Sequence, residues 1–197
     1  MTVTIDGTSG INTPGVVNTA AETIATTLAV TGVTTVQAGT SALPAITTTG
    51  DTNTGIFFPA ADTVAVSTGG SERARIDTSG NVLVTNAAGL GYGTGAGGTV
   101  TQATNKGTAV TLNKPTGQVT TNNAALASGA TVSFSINNSI ITATDNIMVV
   151  VTGGSSYTVQ PQFVSGGVAN IRLTNTTGGS LSEAVVINFA VIKGASS

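Results

Sequence analysis

Positions 72–77 carry Glu72, Arg73, Arg75 and Asp77, the densest run of charge in a chain of 197 residues with only 6 Lys and Arg and 8 Asp and Glu. Two carboxylates about 5–10 Å apart across a sugar can cleave a glycosidic bond, one as acid and the other as base or nucleophile. Glu72 and Asp77 suit that role poorly, because an odd separation along a regular strand sends their side chains to opposite faces. Arg73 and Arg75 share a parity and flank both acids. For Glu72, Arg73, Arg75 and Asp77 the expectation is therefore solvated ion pairs across strands of neighbouring chains.

Other chemistry-bearing patterns are thinner still. The chain has no His and no Cys, which removes thiolate nucleophiles, disulfides, the usual zinc ligand sets and the commonest general base near neutral pH. Gly93-Thr94-Gly95-Ala96-Gly97-Gly98 fits the glycine pattern of a dinucleotide loop, but that mechanism needs a helix N-terminus next. The next residues, Thr99-Val100-Thr101, have the texture of a strand, so a linker is expected. Asp51-Thr52-Asn53-Thr54-Gly55 opens like an acidic calcium loop, yet its sixth position is Ile56 and Asp62 stands where a bidentate Glu belongs. A turn is expected there. Tyr157, Gln160 and Gln162 offer a ring and two amides to a sugar, against the plainer reading of Tyr157 as core. These residues imply no catalytic set, no metal and no cofactor, and hence a non-enzymatic protein.

Only 7% of residues are charged, for a formal net charge of −2. That is too little cation density to neutralise rows of phosphates, so nucleic acid is not an expected partner. The longest apolar runs, such as 147–151, fall far short of the ~20 residues a membrane-crossing helix requires, and no membrane insertion is expected. Residues 1–7 carry neither the basic nor the apolar region of a secretory leader, which suggests a product made in a cytoplasm and held there until assembly or lysis.

Thr is the commonest residue and Gly contributes 26 more, so the polar surface is hydroxyl and backbone rather than charge. Branched Cβ atoms favour a pleated surface, and an all-β chain is predicted. The one window with helical character is 19–28. Four stretches separate by texture. Residues 1–50 are low in complexity, with short alternating pieces. Residues 51–88 hold close-set runs and turns, at Gly69-Gly70 and Thr78-Ser79-Gly80, that predict a short β-meander. Residues 89–98 are a Gly-rich hinge. Residues 99–197 predict a β-sandwich of the jelly-roll kind, with strands at 109–112, 118–121, 131–136, 147–151, 157–163, 168–174 and 184–192. Within it, 147–151 and 184–192 are apolar on both parities and are expected as central strands covered on both sides.

The meander raises a question of burial. Its apolar set, Ile56, Phe57, Phe58, Val64, Val66, Ile76, Val82 and Val84, would cover one face of a small sheet, and nothing nearby in the sequence is bulky enough to cover that face in turn. A face of this kind with so few charges is an aggregation hazard. Another copy of the same chain is the economical cover, making these eight residues candidate subunit-interface positions.

The stretch 50–84, with Asp51-Thr52-Asn53-Thr54-Gly55-Ile56-Phe57-Phe58-Pro59-Ala60 and Gly69-Gly70-Ser71-Glu72-Arg73-Ala74-Arg75-Ile76-Asp77-Thr78-Ser79-Gly80-Asn81-Val82, resembles a module of bacteriophage tail fibres and related virion appendages. Residues 98–106 and 181–190 are similar to the end domain of short phage fibre proteins. The resemblance implies a homotrimer on a virion, tail or head fibre, with an extended β-rich shaft built as an intertwined β-prism or triple β-helix ahead of the sandwich. It further implies an N-terminal partner among the virion's own structural proteins, and attachment to a glycan or protein of the host surface. A capsid decoration or cement protein that stabilises the head lattice is the alternative. A polysaccharide depolymerase is disfavoured because so few carboxylates are available to pair.

Overall fold

A chain rich in Thr and Val and poor in helix formers should put its backbone hydrogen bonds into ladders. The computed structural model describes residues 29–87, 89–153 and 156–195, and among these residues the regular elements are all strands, with no helix. No helix long and apolar enough to cross a membrane occurs among them. The window 19–28 and most of the stretch 1–50 lie outside the described residues. The chain divides between residues 88 and 89 into two compact units.

The described residues of the first unit form a five-stranded antiparallel sheet in chain order: β1 (Ile46–Thr48), β2 (Asp51–Phe57), β3 (Val64–Thr68), β4 (Ser71–Ile76) and β5 (Val82–Val84). Residues 51–55, expected as a turn, instead extend β2 and pair with β1; the reversal comes earlier, at Gly50, whose φ is 85°. Gly69 and Gly70, at φ 58° and 75°, form the two-residue link from β3 to β4. Positive φ at both positions twists a hairpin turn with the strands it joins, and only glycine adopts it without strain.

One face of this sheet is covered by the chain itself. Pro44 is buried, and a Cβ on Gly55 would stand 3.0 Å from the Pro44 Cβ and 1.9 Å from the Ile46 carbonyl oxygen. Glycine at 55 is what lets the 39–45 segment lie this close. Phe57 and Ala65, register partners on the same side as Gly55, are 4% and 0% exposed.

The second unit has eight strands in two four-stranded sheets. They are β6 (Thr99–Thr101), β7 (Val110–Thr111), β8 (Thr116–Thr120), β9 (Thr131–Asn137), β10 (Asn146–Thr152), β11 (Tyr157–Ser165), β12 (Val168–Asn175) and β13 (Val186–Ile192). The sheet orders are β10-β13-β8-β6 and β11-β12-β9-β7, antiparallel apart from the β6–β8 and β7–β9 pairs. Alternation sends Phe134 and Ile136 of β9, Ile171 and Leu173 of β12, and Ile187, Phe189 and Val191 of β13 into one core shared by both sheets. The reading of 147–151 as a central strand is corrected. β10 pairs only with β13, and its outward residues Met148 and Val150 are 61% and 58% exposed, so apolar residues on both parities here reflect an uncovered outer face rather than burial on two sides.

Buried polar side chains pin the loops around this core. Asn175, fully buried, donates from Nδ2 to the carbonyls of Leu126 and Gly179, both at 2.8 Å, while its Oδ1 accepts from the Thr177 N–H and hydroxyl. The Lys106 ammonium, on a residue 3% exposed, donates at 2.6 Å to the carbonyls of Asn122 and Glu183. Carbonyl dipoles thus meet a cation that burial alone would disfavour. The Gly-rich stretch 89–98 is tied to this unit through the Tyr92 hydroxyl, which donates to the Val191 carbonyl, and the Gly98 carbonyl, which accepts from the Gln118 N–H at 2.9 Å. It runs into the strand β6, so the helix that a dinucleotide loop requires is not there.

Candidate functional site

The register of the five-stranded sheet aligns its apolar residues in two rows on the face opposite Phe57. Ile46, Ile56, Val66, Ala74 and Val84 lie side by side across all five strands, and Val64, Ile76 and Val82 form a second row. Ile46, Val66 and Val82 are 50%, 43% and 76% exposed, and Ile56, Val64, Ile76 and Val84 are exposed with them. A sheet covered on one side only normally carries polar residues on the other; this one carries Ile and Val. Among the described residues, the edge strands β1 and β5 also leave a side of their backbone unpaired.

Of the eight residues expected on this face, Ile56, Val64, Val66, Ile76, Val82 and Val84 are there. Phe57 is not: neighbours on a strand point oppositely, and Phe57 fills the covered side within its own chain. Phe58, one residue past the end of β2, is half-buried, its N–H held by the Ala38 carbonyl at 2.8 Å.

The charged cluster is organised by a β-bulge. Ser67 pairs with Glu72 but Val66 pairs with Ala74, so Arg73 is an extra residue and the parity of β4 reverses across it. Glu72 and Arg75 thereby reach the same side of the sheet, where the guanidinium donates two hydrogen bonds of 2.6 Å to the carboxylate. Arg73 turns instead to the Thr68 hydroxyl, 2.9 Å away. The simple parity count that put Arg73 and Arg75 on one face is corrected by this bulge. Arg75 holds the Glu72 carboxyl below its ordinary range and is itself held above its own by that bond. Asp77 is lowered by the Asn81 side chain and by the N–H groups of Asn81 and Ser79, which it caps at 2.9 Å. The four groups are thus partnered within one chain, and ion pairs to a neighbour are not needed to account for them. Both carboxyls are held toward their ionised form by these partners.

Asp51 is exposed on β2 and Asp62 sits in a turn at φ 54°. Among the described residues no group of three Asp, Glu, His or Cys side chains is gathered so as to hold a metal ion.

The sugar-facing trio of the sequence separates. Tyr157 is 7% exposed and belongs to the core, while Gln160 and Gln162 stand on the outer face of the β11-β12-β9-β7 sheet. There they line a cleft of about 200 Å³ with Pro161 and Arg172. Arg172 was not legible from the sequence as a member of this group, nor was Phe163, one row along the same face, as an outward residue. The signal was Pro161 inside a strand, a residue tolerated only at sheet edges and bulges.

Comparison with protein-family models, curated proteins and solved structures gives no match to this chain.

Proposed function

We propose that this chain is a structural, non-enzymatic subunit of a bacteriophage appendage, a tail or head fibre that works as a homotrimer and attaches the particle to the host surface. The observation that carries this reading is the open apolar face of the five-stranded sheet, with Ile46, Ile56, Val66 and Val84 in register and exposed. Burying a Val or Ile side chain contributes about 1.5–3 kcal/mol, and identical copies about a closed symmetry axis bury every face of the set at once. Three copies rather than two, in a β-prism or triple β-helix, accord with the resemblance of residues 50–84 to fibre modules. The C-terminal unit, read as a jelly-roll-like β-sandwich, is the part that offers a surface to a partner.

Light scattering on the full-length chain tests this directly. The expected mass is three times that of one chain, and Ile56→Thr with Val66→Thr is expected to give single chains that keep their strands, because Thr retains β propensity while removing apolar contact. Single chains at all concentrations for the unaltered protein, or a double variant that still forms trimers, would overturn the reading. The first of those outcomes favours a decoration protein that orders on a capsid lattice.

A further inference from the structure

The outer face of β11, β12 and β9 is built unlike either apolar surface of the molecule. Its register sets three rows across the strands: Thr158, Thr174 and Thr131; then Gln160, Arg172 and Ser133; then Phe163, Asn170 and Ser135. Across the three rows the side chains are hydroxyls, amides, one guanidinium and one ring. A bulge at Gln162 makes this set. Pro161 pairs with the buried Ile171, whereas Phe163 pairs with the outward Asn170, so the alternation skips at Gln162 and both Gln162 and Phe163 reach the outside. Without that extra residue Phe163 would point into the core. Instead it is 52% exposed, and Gln162 accepts a 3.1 Å hydrogen bond from Ser133 across the intervening strand.

The three strands contain no Asp, Glu or Lys, and Arg172 is their single charge. It is exposed, and among the described residues neither an ion pair nor a hydrogen bond occupies it. A guanidinium so placed, at the mouth of a cleft and flanked by two glutamine amides, matches the fork geometry of a carboxylate. The rest of the face narrows the partner. It has no apolar centre of the kind a protein interface buries, and one cation cannot hold a phosphate backbone or an anionic membrane.

We infer that this face binds an acidic saccharide, with Arg172 taking a sugar carboxylate, Gln160 and Gln162 bonding ring hydroxyls, and Phe163 stacking against the C–H face of a neighbouring sugar. The inference deepens the attachment reading, and rests on it for the source of the saccharide. Binding itself is a property of the chain and does not require the trimer.

The probe is a short oligogalacturonate, compared with its methyl ester, which keeps every hydroxyl and removes the charge. Amide shifts on the ¹⁵N-labelled full-length chain report where each binds, and light scattering on the same samples reports mass, so loss of binding and loss of trimer are read separately. The acid form is expected to shift amides of β11, β12 and β9 and to bind at least about tenfold more tightly than the ester, the scale of a charge-assisted bidentate bond. Arg172→Gln should lose that difference with an unchanged melting temperature, and Phe163→Ser should weaken both forms. Absence of shifts with millimolar acid oligomer, equal binding of the ester, shifts mapping to another surface, or an Arg172→Gln chain that binds like the original would each overturn the inference. Inorganic phosphate is the remaining control: if it displaces the oligomer at equal concentration and Phe163→Ser changes nothing, the face is a plain anion site and the saccharide assignment fails.

Discussion

The two units solve the same problem of burial in opposite ways. The C-terminal unit turns two sheets inward on a shared core of Phe134, Ile136, Ile171, Leu173, Ile187 and Phe189, each at most 2% exposed. Among its described residues the first unit has one sheet, covers one side of it with its own 39–45 segment, and leaves Ile and Val exposed on the other. Similar residues therefore mean different things in the two places. In the C-terminal unit they stabilise a single chain, and in the first they are available to a second one.

The largest effects should separate the units by substitution. Ile171→Ala removes a fully buried side chain between two sheets and should cost the C-terminal unit about 2–5 kcal/mol. Val66→Thr, at the centre of the open face, should change the stability of the single chain by no more than about 0.5 kcal/mol while weakening association. Both Tyr residues, Tyr92 and Tyr157, lie in the C-terminal unit, and the chain has no Trp. Tyrosine fluorescence in a urea titration thus follows that unit alone, while circular dichroism follows both. If Val66→Thr destabilised the isolated chain as much as Ile171→Ala, the open face would be filled within one chain and the contrast would disappear.

A smaller effect probes how the C-terminal unit keeps its polar interior. Asn175→Ala strips four hydrogen bonds from a fully buried site: the Leu126 carbonyl keeps the Leu181 N–H and the Gly179 carbonyl keeps the Thr177 hydroxyl, but the Thr177 N–H loses its acceptor. An unpaired buried group costs about 1–3 kcal/mol, so the tyrosine-detected midpoint should fall clearly below that of the unaltered chain. An unchanged midpoint would show that solvent replaces these bonds.

What was legible in the sequence was mostly periodicity. Clean alternation marked Val132, Phe134 and Ile136 on one side of β9, and that side is the core. The stretch 184–192 is apolar on both parities and was expected to be covered on both sides, but only Val185, Ile187, Phe189 and Val191 are core, while Ile192 is exposed. The glycine pair at 69–70 marked its hairpin for a reason of backbone conformation. What alternation misses is whatever breaks it. One bulge turns Glu72 toward Arg75 and another turns Phe163 out beside Arg172, and a single inserted residue carries no periodic signature. Edge and centre are equally hidden, since the outer face of β10 has the composition of a buried strand and only the pairing order shows otherwise. The open apolar face was readable because it depends on counting what remains to cover it.

The smallest effects are electrostatic, and they too divide the units. Asp145 is held far below the ordinary carboxylate range, first by Lys193 and then by the N–H groups of Thr142 and Gly194. A carboxyl depressed by folding contributes stability that is present above its unfolded pKa, near about 4, and is lost as pH falls below that value toward the folded one. The C-terminal unit should accordingly lose stability on acidification below about pH 4, and Asp145→Asn should flatten that dependence in tyrosine-detected melting. Glu72 is lowered as well, but its bond to Arg75 lies at the surface, the two side chains being 15% and 37% exposed. Water and salt screen such a pair, so Glu72→Gln should leave the melting of the first sheet within measurement error between neutral and acid pH. A strong acid transition in that sheet, removed by Glu72→Gln, would mean that association desolvates the pair and that the covered side, not the open one, meets the neighbouring chain.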